Sequence, residues 1–140
     1  MLAAFPLLLL PVALYNLLML TISGGFFGTG AGARLSSPLI SLPMASRAVW
    51  PISLGDLLLT GSLLILVAEL LKSTGSRRIA ILNQALSILT FVICLVEFLL
   101  FPAFATSTFF LIGLMVLLDV AAGFIVTLIA QRRDAGFRDG

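Results

Sequence analysis

The chain has no histidine, one cysteine, one tryptophan, one tyrosine and few charges: eight Lys and Arg and six Asp and Glu among 140 residues. Each scarcity closes a class of function. Without histidine, haem, zinc and copper sites built on imidazole have no ligand in this chain. No Glu-x-x-His pair exists for a carboxylate metal site either. A single cysteine, Cys94, forms no internal disulfide and says little about compartment. Cys94 lies one turn from Glu97, but no imidazole base stands ready to activate it or any serine. The glycines of residues 28–33 (GTGAGA) follow no strand pattern and lack the Lys-Ser/Thr ending of a phosphate loop. The sequence therefore predicts no catalytic residue, no cofactor and no metal.

The shortage of charge has a second consequence. Charged residues make up 10% of the chain and hydrophobic ones 61%, against about 25% and roughly 45–50% in soluble domains. Mean hydropathy is +1.24. A soluble fold of this size would have too little polar surface to stay dispersed. Net charge is +2, with the basic residues in short clusters beside apolar runs. That pattern reads as membrane orientation, with no nucleic-acid partner.

What the chain has in abundance is long apolar runs. Residues 78–100 (RIAILNQALSILTFVICLVEFLL) carry no charge between Arg78 and Glu97 and are long enough to cross a bilayer as one helix. Asn83, Ser87, Thr90, Cys94 and Glu97 fall at i, i+4, i+7, i+11 and i+14, one stripe on one face of a helix. A polar stripe on a membrane helix turns away from lipid, toward protein or water.

Three further runs accompany it. Residues 3–22 form the first, with Pro6, Pro11, Tyr15 and Asn16. Pro11 is expected to kink its first half, and Tyr15 and Asn16 to bond neighbouring helices. A cleaved signal peptide ending near Ala31-Gly32-Ala33 is the rival reading. Against it stand the missing basic n-region and an apolar core that is too long. Residues 53–72 form the second run. It opens on Ser53-Leu54-Gly55-Asp56, a capping-box pattern in which Asp56 satisfies backbone N–H groups, and closes with Glu69 and Lys72 spaced as a local ion pair. Residues 107–130 form the last, with Asp119 near the middle and Gly123 and Thr127 on its face.

Between the first two runs, residues 23–34 read as a flexible glycine-rich loop. Residues 35–51, broken by Pro38, Pro43 and Pro51, read as an interfacial segment with Trp50 at headgroup level. Ser76 is placed to cap the run at 78–101. The tail from residue 131 reads as frayed.

The fold class expected is all-α: a polytopic integral membrane protein of one domain, with four transmembrane helices (3–22, 53–72, 78–101, 107–130) in an antiparallel bundle and an interfacial loop at 35–51. Arg and Lys concentrate in the connector at residues 72–78 and at the start of the tail. They predict a bacterial inner-membrane protein with both termini cytoplasmic and the uncharged link at 102–107 outside.

Segments 42–59 (LPMASRAVWPISLGDLLL), 94–111 (CLVEFLLFPAFATSTFFL) and 119–124 (DVAAGF) resemble a family of uncharacterised small alphaproteobacterial inner-membrane proteins. The resemblance implies a four-helix membrane protein and brings no activity. The small multidrug carriers, similar in size, carry an acid in the first helix that is absent here.

The candidate site is a set of intramembrane polar residues: Asp119, Glu97, Thr90, Ser87, Asn83, Glu69 and Asp56. By helical rise, Asp56 and Glu97 share one depth, Glu69 and Asn83 another, and Asp119 lies between them. A carboxylate near the bilayer centre costs about 2.5 kcal/mol or more, so Asp119 is expected to face the stripe near Thr90 or Ser87. Two roles fit. One is an accessory or structural subunit packed against another integral membrane protein or a second copy. The other is a small proton-coupled transporter, oligomeric, with Asp119 and Glu97 titrating.

Overall fold

The computed structural model describes residues 4–72 and 76–137. The order of elements is α1 (Leu9–Ile22), α2 (Ala31–Ser36), β1 (Pro38–Pro43), β2 (Val49–Ser53), α3 (Leu54–Leu71), α4 (Arg77–Leu100), a 3-10 turn (Pro102–Phe104) and α5 (Ser107–Gly136). The chain is mostly helical. Among the described residues three helices, α3, α4 and α5, are long and apolar enough to cross a membrane, and α1 is a shorter apolar helix. The centre of the connector between α3 and α4, residues 73–75, and the last part of the tail, residues 138–140, lie outside the described residues.

The all-helical expectation misses one element. Residues 38–53 form an antiparallel hairpin in place of an irregular interfacial loop, with Ile40 opposite Ile52, Leu42 opposite Trp50 and Pro43 opposite Val49. Prolines that would break a central strand are tolerated because both strands are edges. The glycine-rich loop is also shorter than expected, since Ala31–Ser36 is helical with Ala31 and Leu35 buried at i, i+4.

The first helix begins at Leu9, six residues later than expected. Before it the chain makes tight turns, Leu9 N to Pro6 O and Leu10 N to Leu7 O. Pro11 then falls in the first helical turn, where a missing N–H costs nothing, so it produces no mid-helix kink. The helix ends on glycine. Gly24 and Gly25 have φ of 76° and 108°, and the Gly25 N–H returns to Met19 O, a termination that needs left-handed backbone.

The caps are as the residue pattern dictates. Ser53 Oγ accepts from Asp56 N while Asp56 Oδ2 accepts from Ser53 N, and Ser76 and Thr106 cap α4 and α5 through Ile79 N and Phe109 N. The last helix runs to Gly136, six residues past the expected end, so residues 131–136 are helical and not frayed. Gln131, Arg132 and Arg133 are good helix formers, and Arg133 in the last turn complements the helix dipole.

On α4 the packing inverts the soluble pattern. On α4 the buried residues are Ser87, Thr90 and Cys94, the centre of the polar stripe, while Leu82, Leu89, Val92, Ile93 and Leu95 are exposed. On α5 the inward face is Phe109, Ile112, Val116, Asp119 and Val120; α5 packs against both α3 and α4. Leu8, Val12, Tyr15 and Met19 bury one stripe of the first helix and its lead-in against this core. One end is closed by aromatic rings, Tyr15, Phe104 and Phe109, with centroids 4.7–5.4 Å apart.

Candidate functional site

Polar side chains are rare here, and most of the buried ones bond across or along the helices. They gather at three levels. At the first, Glu69 is buried at 4% exposure near the end of α3. Its Oε1 pairs with Lys72 Nζ at 2.7 Å and accepts from Asn83 Nδ2 of α4 at 3.2 Å. Its Oε2 accepts from the backbone of Leu7 at 2.8 Å. Lys72 Nζ also donates to Asn83 Oδ1 and to the carbonyl of Phe5. Three stretches of chain meet on one carboxylate, and a lysine compensates it, which is the arrangement a buried charge requires.

At the second level, Ser87 Oγ donates to Asp119 Oδ2 at 2.9 Å, both residues being buried. One turn away, Gln84 Nε2 donates to Val120 O at 3.0 Å. Thr90, the other expected partner of Asp119, donates to Leu86 O of its own helix. Ser62 and Thr60 of α3 likewise bond their own backbone at i−4.

At the third level, Asn16 Nδ2 donates to Glu97 Oε2 at 3.2 Å. Tyr15 Oη lies 2.6 Å from Thr106 Oγ1 and donates to Ala103 O. Asp56 is exposed and tied to Ser53. Equal depth therefore brings Glu69 and Asn83 together but does not join Asp56 to Glu97, because each of those acids has a nearer partner.

A cleft of about 450 Å³ opens beside α2 and the first turns of α3 and α5, with Ser36, Ser53, Asp56, Thr106, Ser107 and Thr108 among its lining. Glu69, Glu97 and Asp119 do not line it. Among the described residues no three His, Cys, Asp or Glu side chains group as metal ligands. What the arrangement does chemically is hold helices together: Glu69, Glu97 and Asp119 accept hydrogen bonds from another stretch of chain, and Asp56 caps its own helix.

Two contributors are not legible as site residues. Gln84 lies off the stripe by one position, and its bond to α5 depends on Gly123, where a Cβ would overlap the Gln84 amide. The Leu7 N–H is free to reach Glu69 because α1 starts two residues later. Comparison with protein-family models, curated proteins and solved structures finds no match, so the resemblance carried by residues 42–59, 94–111 and 119–124 adds no activity to these contacts.

Proposed function

We propose that the chain is an integral inner-membrane protein that serves as an accessory or structural subunit of a membrane protein complex. Its partner in this reading is another integral membrane protein or a second copy. In this reading α3, α4 and α5 cross the bilayer and the first helix with its lead-in crosses as the fourth. Fourteen residues of helix span about 21 Å, and the turns from residue 4 to 8 cover the remainder. The juxtapositions of Cys94 with Gly113, Ser87 with Asp119 and Gln84 with Gly123 support an antiparallel order of α4 and α5. The basic ends of α3–α4 and α5 favour a cytoplasmic side there, with both termini on it.

The observation that carries the reading is the inverted packing of α4. Its polar stripe is used up on contacts inside the chain, and its outer face is aliphatic. Such a surface suits lipid and other membrane helices. Purification in mild detergent followed by native mass spectrometry tests it. A constant heteromeric partner or a defined self-assembly is the expected result. A monomer alone in every detergent overturns it.

A second reading, a small proton-coupled carrier working as an oligomer, is favoured by one observation. Asp119 and Glu97 are bonded to neutral groups, Ser87 and Asn16, and among the described residues no cation pairs with either carboxylate to hold it permanently ionised. Solute uptake driven by a pH gradient in reconstituted vesicles, lost in Asp119→Asn, would establish it in place of the first.

A further inference from the structure

We propose that the β1–β2 hairpin lies flat on an anionic phospholipid surface, its Ile40, Leu42, Trp50 and Ile52 face against the bilayer and Arg47 at the level of the lipid phosphates. This rests on the membrane-spanning reading above. The pairing defines the face. Residues directly opposite in an antiparallel pair share a side, so Ile40 with Ile52 and Leu42 with Trp50 make one continuous apolar side. Ser41 with Pro51 and Pro43 with Val49 make the other, which also exposes Val49 but is interrupted by Ser41 and carries no aromatic ring. The apolar side is not covered by the helices: Ile40 is 55% and Trp50 51% exposed.

Position fixes the depth. Ser53 is both the last residue of β2 and the cap of α3, so the hairpin leaves the helix where its apolar span begins. That is the headgroup level, where tryptophan concentrates. The hydrocarbon core is excluded, because a two-stranded sheet has two unpaired edges whose backbone groups need water or headgroups.

Lipid is favoured over a strand-adding protein partner by Pro38, Pro43 and Pro51. Each deprives the hairpin of a donor and spoils it as a template for another strand. Charge selects anionic lipid. Residues 1–55 contain Arg34 and Arg47 and no Asp or Glu. The first acid, Asp56, keeps its charge but lies in the first turn of α3 against Ser53, at the far end of the hairpin from Arg47. Arg47 sits at the hairpin tip at φ 66°, in a turn closed by Arg47 N to Met44 O and Met44 N to Ala48 O. A guanidinium there pairs with phosphate oxygens while its stem rests on apolar atoms.

Trp50 is the one tryptophan of the chain, which makes it a built-in depth probe. The full chain is reconstituted in vesicles of phosphatidylcholine alone or mixed with phosphatidylglycerol. Fluorescence is then quenched by iodide from water, or by lipids brominated near the headgroup or near the chain end. The expected result is weak iodide quenching and stronger quenching by the shallow bromines than by the deep ones. Arg47→Glu should raise iodide quenching roughly twofold or more in the anionic vesicles and less in the neutral ones. Full access to iodide with no bromine quenching overturns the proposal. So does shielding from iodide without bromine quenching, which would mean that a second copy covers the face. Equal behaviour of Arg47→Glu in both lipids overturns the anionic assignment. Flotation separates the two levels. A chain that does not float with urea-washed vesicles overturns the membrane-spanning reading, whereas one that floats with Trp50 open to iodide overturns only the hairpin's placement.

Discussion

The side chain of Gln84 crosses from α4 to α5 through the space left by Gly123, and its amide reaches Val120 O at 3.0 Å. A glycine here is required for close approach and not for backbone conformation. Gly123→Ala should push the Gln84 amide aside and break that bond, at a cost of about 1 kcal/mol. Gln84→Ala in the same chain should remove the penalty. A double-mutant cycle by thermal unfolding in detergent measures the coupling; additive losses would contradict it.

Asp119 and Ser87 form the second link between the same two helices. Asp119→Asn keeps a group of similar shape that can still bond the Ser87 hydroxyl, whereas Asp119→Leu leaves that hydroxyl without its partner. Leu should therefore lower stability or partner retention more than Asn, by an amount on the order of 1 kcal/mol. Both variants are compared with wild type in one detergent. Equal stability for all three would argue against any packing role.

Glu69 differs from Asp119 in having a cation. Its side chain is 1% exposed and that of Lys72 16%. Glu69→Ala takes the counter-charge from Lys72, which keeps Asn83 and the Phe5 carbonyl, and leaves the Leu7 N–H and the Asn83 amide without their acceptor; it should cost about 3 kcal/mol. Glu69→Gln keeps an acceptor and should cost less. The order Ala worse than Gln is read from unfolding temperatures.

Thr106 serves twice, as cap of α5 and as partner of Tyr15. Tyr15→Phe removes the hydroxyl's bonds to Thr106 and to Ala103 O and should cost about 1 kcal/mol. Thr106→Val removes the cap of α5 together with the bond to Tyr15, leaves Tyr15 its bond to Ala103 O, and should cost about 1–2 kcal/mol. Thr106→Ser should restore most of the loss in the same unfolding assay.

The orientation is tested with reporter fusions. A reporter at Ala105 should read outside, and one at Phe137 inside. The reverse pair would invert the topology derived from the basic clusters.

The helices were legible because polar residues are so scarce. When Asn83, Ser87, Thr90, Cys94 and Glu97 are nearly the only polar atoms in 23 residues, their period leaves one buried face, and the structure turns that face inward. The capping residues were legible for a related reason, since Ser53 and Asp56 act within one turn. The hairpin was not. Its prolines mimic breakers, and apolar residues on both sides erase the alternation that marks a strand. The true start of α1 was hidden too. It goes with a contact from the Leu7 N–H to Glu69, 62 residues away, which no local pattern announces. Of the site, the residues were readable but not their partners: nothing local distinguishes Ser87 from Thr90 as the donor to Asp119.

The clasp of Phe5 and Leu7 on Glu69, Lys72 and Asn83 joins stretches separated by more than 60 residues. During synthesis the lead-in to α1 is made first, yet its acceptor and donor appear only when the end of α3 and the start of α4 have emerged. Closure of the non-local contact therefore comes late. If the first helix spans the bilayer as proposed, it waits there with its lead-in unfastened until the end of α3 and the start of α4 arrive to hold it. A nascent chain halted before residue 83 has emerged would present that lead-in open to proteases, and one halted after it has emerged would not.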